Sequence, residues 1–98
     1  MTYDDYVSVC RALGDETRLK IFDMLKGGKL CACKILEKFN CTQPTLSYHM
    51  NILVGCGLID CEKCGKWCHY SINEKVMKEF SDFLTEKRCE NNGGCICD

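Results

Sequence analysis

The run Cys41-Thr42-Gln43-Pro44-Thr45-Leu46-Ser47-Tyr48-His49-Met50-Asn51-Ile52-Leu53 constrains this chain more than any other stretch. Thr42 suits an N-cap, because its hydroxyl can accept a hydrogen bond from a free N–H group at a helix start. Pro44 then falls in the first turn, where a missing N–H costs nothing. Leu46, Met50 and Leu53 recur at helical spacing and mark one apolar edge. The rest of the surface carries Gln43, Thr45, Ser47, Tyr48 and His49, hydrogen-bonding groups without a charged residue among them. Such a helix is either amphipathic with a plain polar face, or its N-terminal end enters a DNA major groove and reads base edges. Its neighbours decide between the two.

Upstream, Tyr3, Tyr6, Val7, Cys10 and Leu13 step by three and four, which predicts an amphipathic helix over 3–13 closed by Gly14. Asp15 is an N-cap for a second helix with the apolar set Leu19, Ile21, Phe22 and Leu25, closed by Gly27-Gly28. A short third helix from Cys31 or Ala32 to Phe39 is expected to bury Ile35 and Phe39. Asn40-Cys41-Thr42 is then a tight turn, and two short helices so joined form a helix-turn-helix. Downstream of Gly55-Cys56-Gly57, residues 58–61 and 66–72 read as strands, with Glu62 to Gly65 as their turn. A hairpin in that place is a wing, with Lys63 and Lys66 near its tip to meet phosphates. Asn73 caps a last helix, marked by Val76, Phe80, Phe83 and Leu84 and ending near Arg88. The expected fold is mainly α with a small β-hairpin, in the order four helices, two strands, one helix. One winged helix-turn-helix domain spans 1–88, and a flexible Cys-rich tail spans 89–98.

Ninety-eight residues lie near the lower end of what buries a self-sufficient core, and a homodimer would relieve the shortage. No run is long enough to cross a membrane and no signal peptide is visible, so a cytoplasmic protein without a membrane partner is expected. The net charge of −1 is unevenly spread: residues 29 to 72 hold five Lys against three acids, which favours an anionic partner near the reading helix. Eleven cysteines would mean disulfides in a secreted mini-protein, but the count is odd. Reduced thiols, some of them ligands for a soft metal or metalloid, are the better reading. No organic cofactor is implied, and no nucleophile or acid accompanies His49, so an enzyme is not expected.

Several motifs carry a family resemblance. Ala12-Leu13-Gly14-Asp15-Glu16-Thr17-Arg18-Leu19-Lys20-Ile21 resembles the signature ALGDxTRLxIL of the ArsR/SmtB family of metal-sensing repressors. Lys29-Leu30-Cys31-Ala32-Cys33 is similar to its ELCVC metal box, Leu46-Ser47-Tyr48-His49-Met50 to its xSxHL, and Gly65-Lys66-Trp67-Cys68-His69-Tyr70 to its wing. The similarity covers about residues 6 to 84. It implies a homodimer built on the first and last helices, bound to palindromic double-stranded operator DNA when metal-free and released by its inducer. Base-edge and nearby phosphate contacts then fall to Gln43, Thr45, Ser47, Tyr48 and His49, and wing phosphates to Lys63 and Lys66.

The resemblance also sorts the metal sites. The zinc type needs His on the last helix, and residues 73 to 88 have none. Cys31 and Cys33 match the first two thiols of the arsenic and cadmium/lead types. The arsenic pattern continues to a third Cys, where this chain has Leu36. The cadmium/lead type draws on an N-terminal extension, and this chain starts close to its first helix. As(III) or a related thiophilic ion, held by Cys31 and Cys33 with Cys89, Cys95 or Cys97, is the expected ligand; a three-Cys site within the tail is the variant. Residues i and i+2 of an ideal helix point apart, so Cys31 and Cys33 share an ion only if the helix start is irregular. Cys10, Cys41 and Cys56 read as small hydrophobes. Cys61-Glu62-Lys63-Cys64-Gly65, with Cys68 and His69 behind it, has the form of a zinc knuckle. Against the knuckle, neighbouring strand residues point to opposite faces. A thiol redox-sensing repressor and a cadmium/lead-type sensor are the alternative functions.

Overall fold

The structure, a computed structural model, describes residues 1–86. The boundary drawn at residue 88 and the tail thiols Cys89, Cys95 and Cys97 lie outside them. In chain order the elements are α1 (Tyr3–Leu13), α2 (Glu16–Leu25), β1 (Leu30–Cys31), α3 (Ala32–Lys38), α4 (Gln43–Gly55), β2 (Ile59–Cys64), β3 (Trp67–Ile72) and α5 (Glu74–Thr85). This is the winged helix-turn-helix, mainly helical with an antiparallel hairpin.

The helix starts follow from side-chain caps. Thr2 and Asp5 form a reciprocal capping box on α1. Asp15 accepts from the N–H of Arg18, Thr42 from that of Thr45, and Asn73 from that of Val76. Each such cap is worth about 1 kcal/mol. Leu46, Met50 and Leu53 are buried under α4, as their spacing requires. Gly57 takes φ +89° just past α4, the left-handed turn that lets the chain reverse into β2. The core gathers Val9 and Ala12 of α1, Ile21 and Leu25 of α2, Ile35 of α3 and Leu58 before β2.

Four expectations need correction. The sheet has three strands, in the order β1-β3-β2, because Leu30 and Cys31 pair antiparallel with Tyr70 and His69. The hairpin is longer than read: pairing runs to Cys64↔Trp67, leaving Gly65-Lys66 as the turn, with Gly65 at φ +67°. Charged Glu62 and Lys63 do not end a strand whose two faces are both exposed there. Cys10 is exposed, not a buried small hydrophobe, and Tyr3 and Val7 form an exposed apolar face on α1 because Val9 and Ala12 take its inward positions. Finally, α5 stops at Thr85, where Glu86 turns extended. No described helix is long and apolar enough to cross a membrane.

Candidate nucleic-acid interface and thiol site

The exposed N-terminal half of α4 presents Gln43, Thr45, Ser47 and Tyr48 to solvent, with Tyr48 61% exposed. Lys66 stands on the hairpin turn and Lys63 on β2 opposite Cys68, both exposed. Helix and hairpin line one cavity of about 240 Å³, largely apolar (Leu36, Leu46, Met50, Trp67), with Gln43, Ser47 and Lys66 at its polar edge. A larger depression of about 380 Å³ by Leu19, Phe22 and Lys26 has no thiol in its lining.

His49 behaves differently from the other reader residues. Its side chain is only 13% exposed, and its Nδ1 lies 3.1 Å from a guanidinium nitrogen of Arg18. Arginine has donors only, so His49 Nδ1 is the acceptor. The Arg18 Nε also donates to the Ala12 carbonyl at 2.7 Å, and the Arg18 backbone N–H donates to Asp15. That N–H, and then the Arg18 charge, hold the Asp15 carboxyl below the usual carboxylate range. One arginine thus ties the end of α1 and the start of α2 to the reading helix. Sequence reasoning passed over Arg18 as part of a motif and gave His49 to DNA; the signal available was the placement of Arg18 three residues after a cap.

Cys31 and Cys33 come together. Cys31 is not in the helix: it is the N-cap of α3, with extended φ −73° and ψ 147°, and it belongs to β1. The irregular start that a shared ion requires is therefore built in. The Cys33 thiol donates to the Cys31 sulfur at 3.2 Å. The Cys33 backbone N–H, followed by that thiol hydrogen bond, lowers the Cys31 pKa, while donating to Cys31 raises that of Cys33. Cys31 is accordingly the first of the pair to become the nucleophilic thiolate.

The remaining thiols divide. Cys41 and Cys56 are half-buried against the core, as small hydrophobes should be, and burial pushes the Cys56 thiol up. Cys10 is exposed, so that reading fails for it. The knuckle does not form: Cys61 pairs opposite Tyr70 and Cys64 opposite Trp67, three residues apart along one strand and so on opposite faces. Among the described residues no three His, Cys, Asp or Glu side chains are gathered closely enough to hold a metal ion.

Residues 15–60, from the cap of α2 to the start of the wing, match the model of the arsR family of bacterial regulatory proteins. The chain is 36% identical to an arsenical resistance operon repressor of Staphylococcus aureus, over 99% of this chain and 92% of that one. It belongs to the arsR family. A second relative, the transcriptional repressor SdpR of Bacillus subtilis, is 40% identical over 79% of this chain and 86% of its own length. Among solved structures, a winged helix-turn-helix DNA-binding domain from Mycobacterium bovis, described as homodimeric, matches with a TM-score of 0.71. At 24% identity, covering 91% of this chain and 90% of that one, it bears on the fold alone. The family is one of bacterial regulatory proteins, not an enzyme class.

Proposed function

We propose that this chain is a metalloid-responsive transcriptional repressor. It holds operator DNA as an ion-free homodimer and lets go when Cys31 and Cys33 bind As(III) or a related thiophilic ion. The observation that carries the reading is the 3.2 Å sulfur–sulfur approach of Cys31 and Cys33, made from a residue that is also hydrogen-bonded into the wing's sheet. Thiolates suit soft ions. An ion that draws the pair into one cluster pulls on β1 and hence on β3, so the wing feels it. The repressor sense is that of the two relatives. A trivalent arsenic centre takes a third thiolate, for which Cys89, Cys95 and Cys97 are the tail's candidates. On the DNA side, Gln43, Thr45, Ser47 and Tyr48 read the major groove and Lys63 and Lys66 contact phosphates, while His49 holds α4 through Arg18.

Under strict anaerobic reduction, arsenite is expected to lower the fluorescence anisotropy of a labelled operator complex, with cadmium titrated beside it to rank the ions. Release that needs an oxidant, and never follows arsenite alone, would sink this reading and favour a redox sensor built on the same thiol pair. A second measurement tests the DNA side. Lys66→Ala should weaken binding to every duplex and flatten the salt slope by about one unit, whereas Gln43→Ala should relax base preference. An unchanged slope in Lys66→Ala removes the wing from the interface.

A further inference from the structure

The face of β3 that carries Tyr70 holds a second pair of thiols. Cys61 lies opposite Tyr70 and Cys68 opposite Lys63, so Cys61 and Cys68 are diagonal partners on one face of the hairpin. They are separate from Cys31, which lies opposite His69 and therefore on the other face of β3. Cys61 is exposed, whereas Cys68 is half-buried against the core and lines the cavity between helix and hairpin. We infer that Cys61 and Cys68 form a two-thiolate site in the wing for a soft cation that is satisfied by two ligands, Hg(II) or Cu(I). The site does not depend on the Cys31/Cys33 reading above.

The two side chains are close enough to sense each other. Burial, and then the neighbouring Cys68 thiol, push the Cys61 thiol up, and burial, and then the two thiols, push Tyr70 up. Several chemistries compete for such a pair, and the register separates them. Diagonal partners across antiparallel strands stand about 7–8 Å apart. A disulfide wants its Cα atoms roughly 4.4–6.8 Å apart, so forming one here would pull the strands out of place. A cation between the sulfurs, with metal–sulfur bonds of about 2.3 Å on either side, spans the wider gap. Zinc takes four ligands and trivalent arsenic three, but among the described residues no three His, Cys, Asp or Glu side chains gather. Tyr70 adds only a phenol oxygen, a hard donor that a soft cation passes over. Two sulfurs alone therefore select a cation content with two.

Binding needs no oxidant. A cation carried as a complex with two small monothiols meets the exposed Cys61 first, and Cys68 then displaces the second carrier from the cavity side. Two metal–sulfur bonds to the carriers break and two to the protein form. The protons leaving Cys61 and Cys68 pass to the departing carrier thiolates, and the metal keeps its oxidation state. Both new bonds are made to one protein, so the second forms at an effective concentration that free monothiols do not match. The bound ion ties β2 to β3 between the buried Tyr70 and the wing lysines, with Lys63 directly opposite Cys68 and Lys66 on the turn beyond.

The test uses the full-length chain with Cys31→Ser, Cys33→Ser, Cys89→Ser, Cys95→Ser and Cys97→Ser, which removes the thiols given another role above. Loaded anaerobically with one equivalent of HgCl2 or of Cu(I) and then challenged with millimolar glutathione, it should keep one ion per chain by native mass spectrometry, whatever the protein concentration. X-ray absorption at the metal edge should show two sulfurs. Adding Cys61→Ser or Cys68→Ser should weaken retention by at least about 10²-fold, the loss of a two-point attachment. Adding Cys64→Ser should change nothing. Because a wing substitution can disturb folding, the chain with its wing intact provides an independent readout: the ion should shield Cys61 and Cys68 from N-ethylmaleimide and leave Cys10 and Cys64 reactive. The ion that survives glutathione is the site's ligand, and loss of both overturns the site. Retention in the Cys68→Ser chain, an unshielded Cys61 or Cys68, or a third sulfur at the metal overturns it equally. A Cys61–Cys68 disulfide formed in dilute hydrogen peroxide would make the pair a redox site and would also overturn it. Arsenite release of the operator is read on the wild type, so the proposed function stands or falls separately.

Discussion

Replacing both Cys31 and Cys33 with serine is expected to leave a protein that holds its operator and ignores arsenite. Serine keeps the size and hydrogen-bonding capacity of the thiol but not its affinity for a soft ion. Neither side chain is fully buried, a serine hydroxyl at position 31 can still accept from the Cys33 N–H, and the β1–β3 pairing uses only the backbone of residue 31. Folding and DNA affinity should therefore stay near wild type. What disappears is the coupling between the two ligands. By linkage an inducer that weakens operator binding by some factor has its own affinity weakened by the operator equally, and such factors are typically ~5–150-fold. In the wild type, anisotropy titrations with and without saturating arsenite should differ by a factor in that range; in the double variant the two curves should superimpose. If the double variant released its operator at the wild-type arsenite concentration, sensing would have to reside wholly in the tail or the wing.

Much of this geometry was legible in the sequence wherever the physics is local. Thr42, Asp15 and Asn73 announce helix starts because a cap needs only one side chain and an N–H three residues on. Leu46, Met50 and Leu53 announce a buried edge because their spacing matches the helical period. What stayed hidden is long-range. A two-residue strand such as Leu30–Cys31 has too few residues to show alternation, and it exists only because β3 offers an unpaired edge. The Arg18–His49 contact joins residues thirty-one apart, which no spacing rule reaches. The apolar residues of α1 were visible, but periodicity gives a face without saying what covers it.

That uncovered face leads to a second large effect. Tyr3 is 78% exposed and Val7 45% on α1, while Phe83 is 41% and Leu84 59% on α5. Tyr6 and Phe83 stack across the two helices with ring centroids 3.9 Å apart, and Tyr3 meets Phe83 edge-on at 6.4 Å, so α1 and α5 share an exposed aromatic junction. Fully burying a side chain of this size is worth about 1.5–3 kcal/mol, and a chain this short has little stability to spare. A second copy of the same surface is the natural cover, and a two-fold axis there would set the two α4 helices about 34 Å apart, one turn of DNA. Leu84→Glu puts a charge into that interface while keeping a good helix former at an exposed position, and Phe83→Glu does the same with loss of the Tyr6 stack. Each variant should sediment as a folded monomer at micromolar concentration, where the wild type sediments as a dimer. Each should also lose operator affinity by about 10²–10⁴-fold, because two half-sites can no longer be engaged by one linked pair of readers. Loss of operator binding in Leu84→Glu with the dimer intact would show that α5 acts on DNA by another route. A wild-type chain that sediments as a monomer would remove the dimer altogether and leave the α1–α5 face to some other partner.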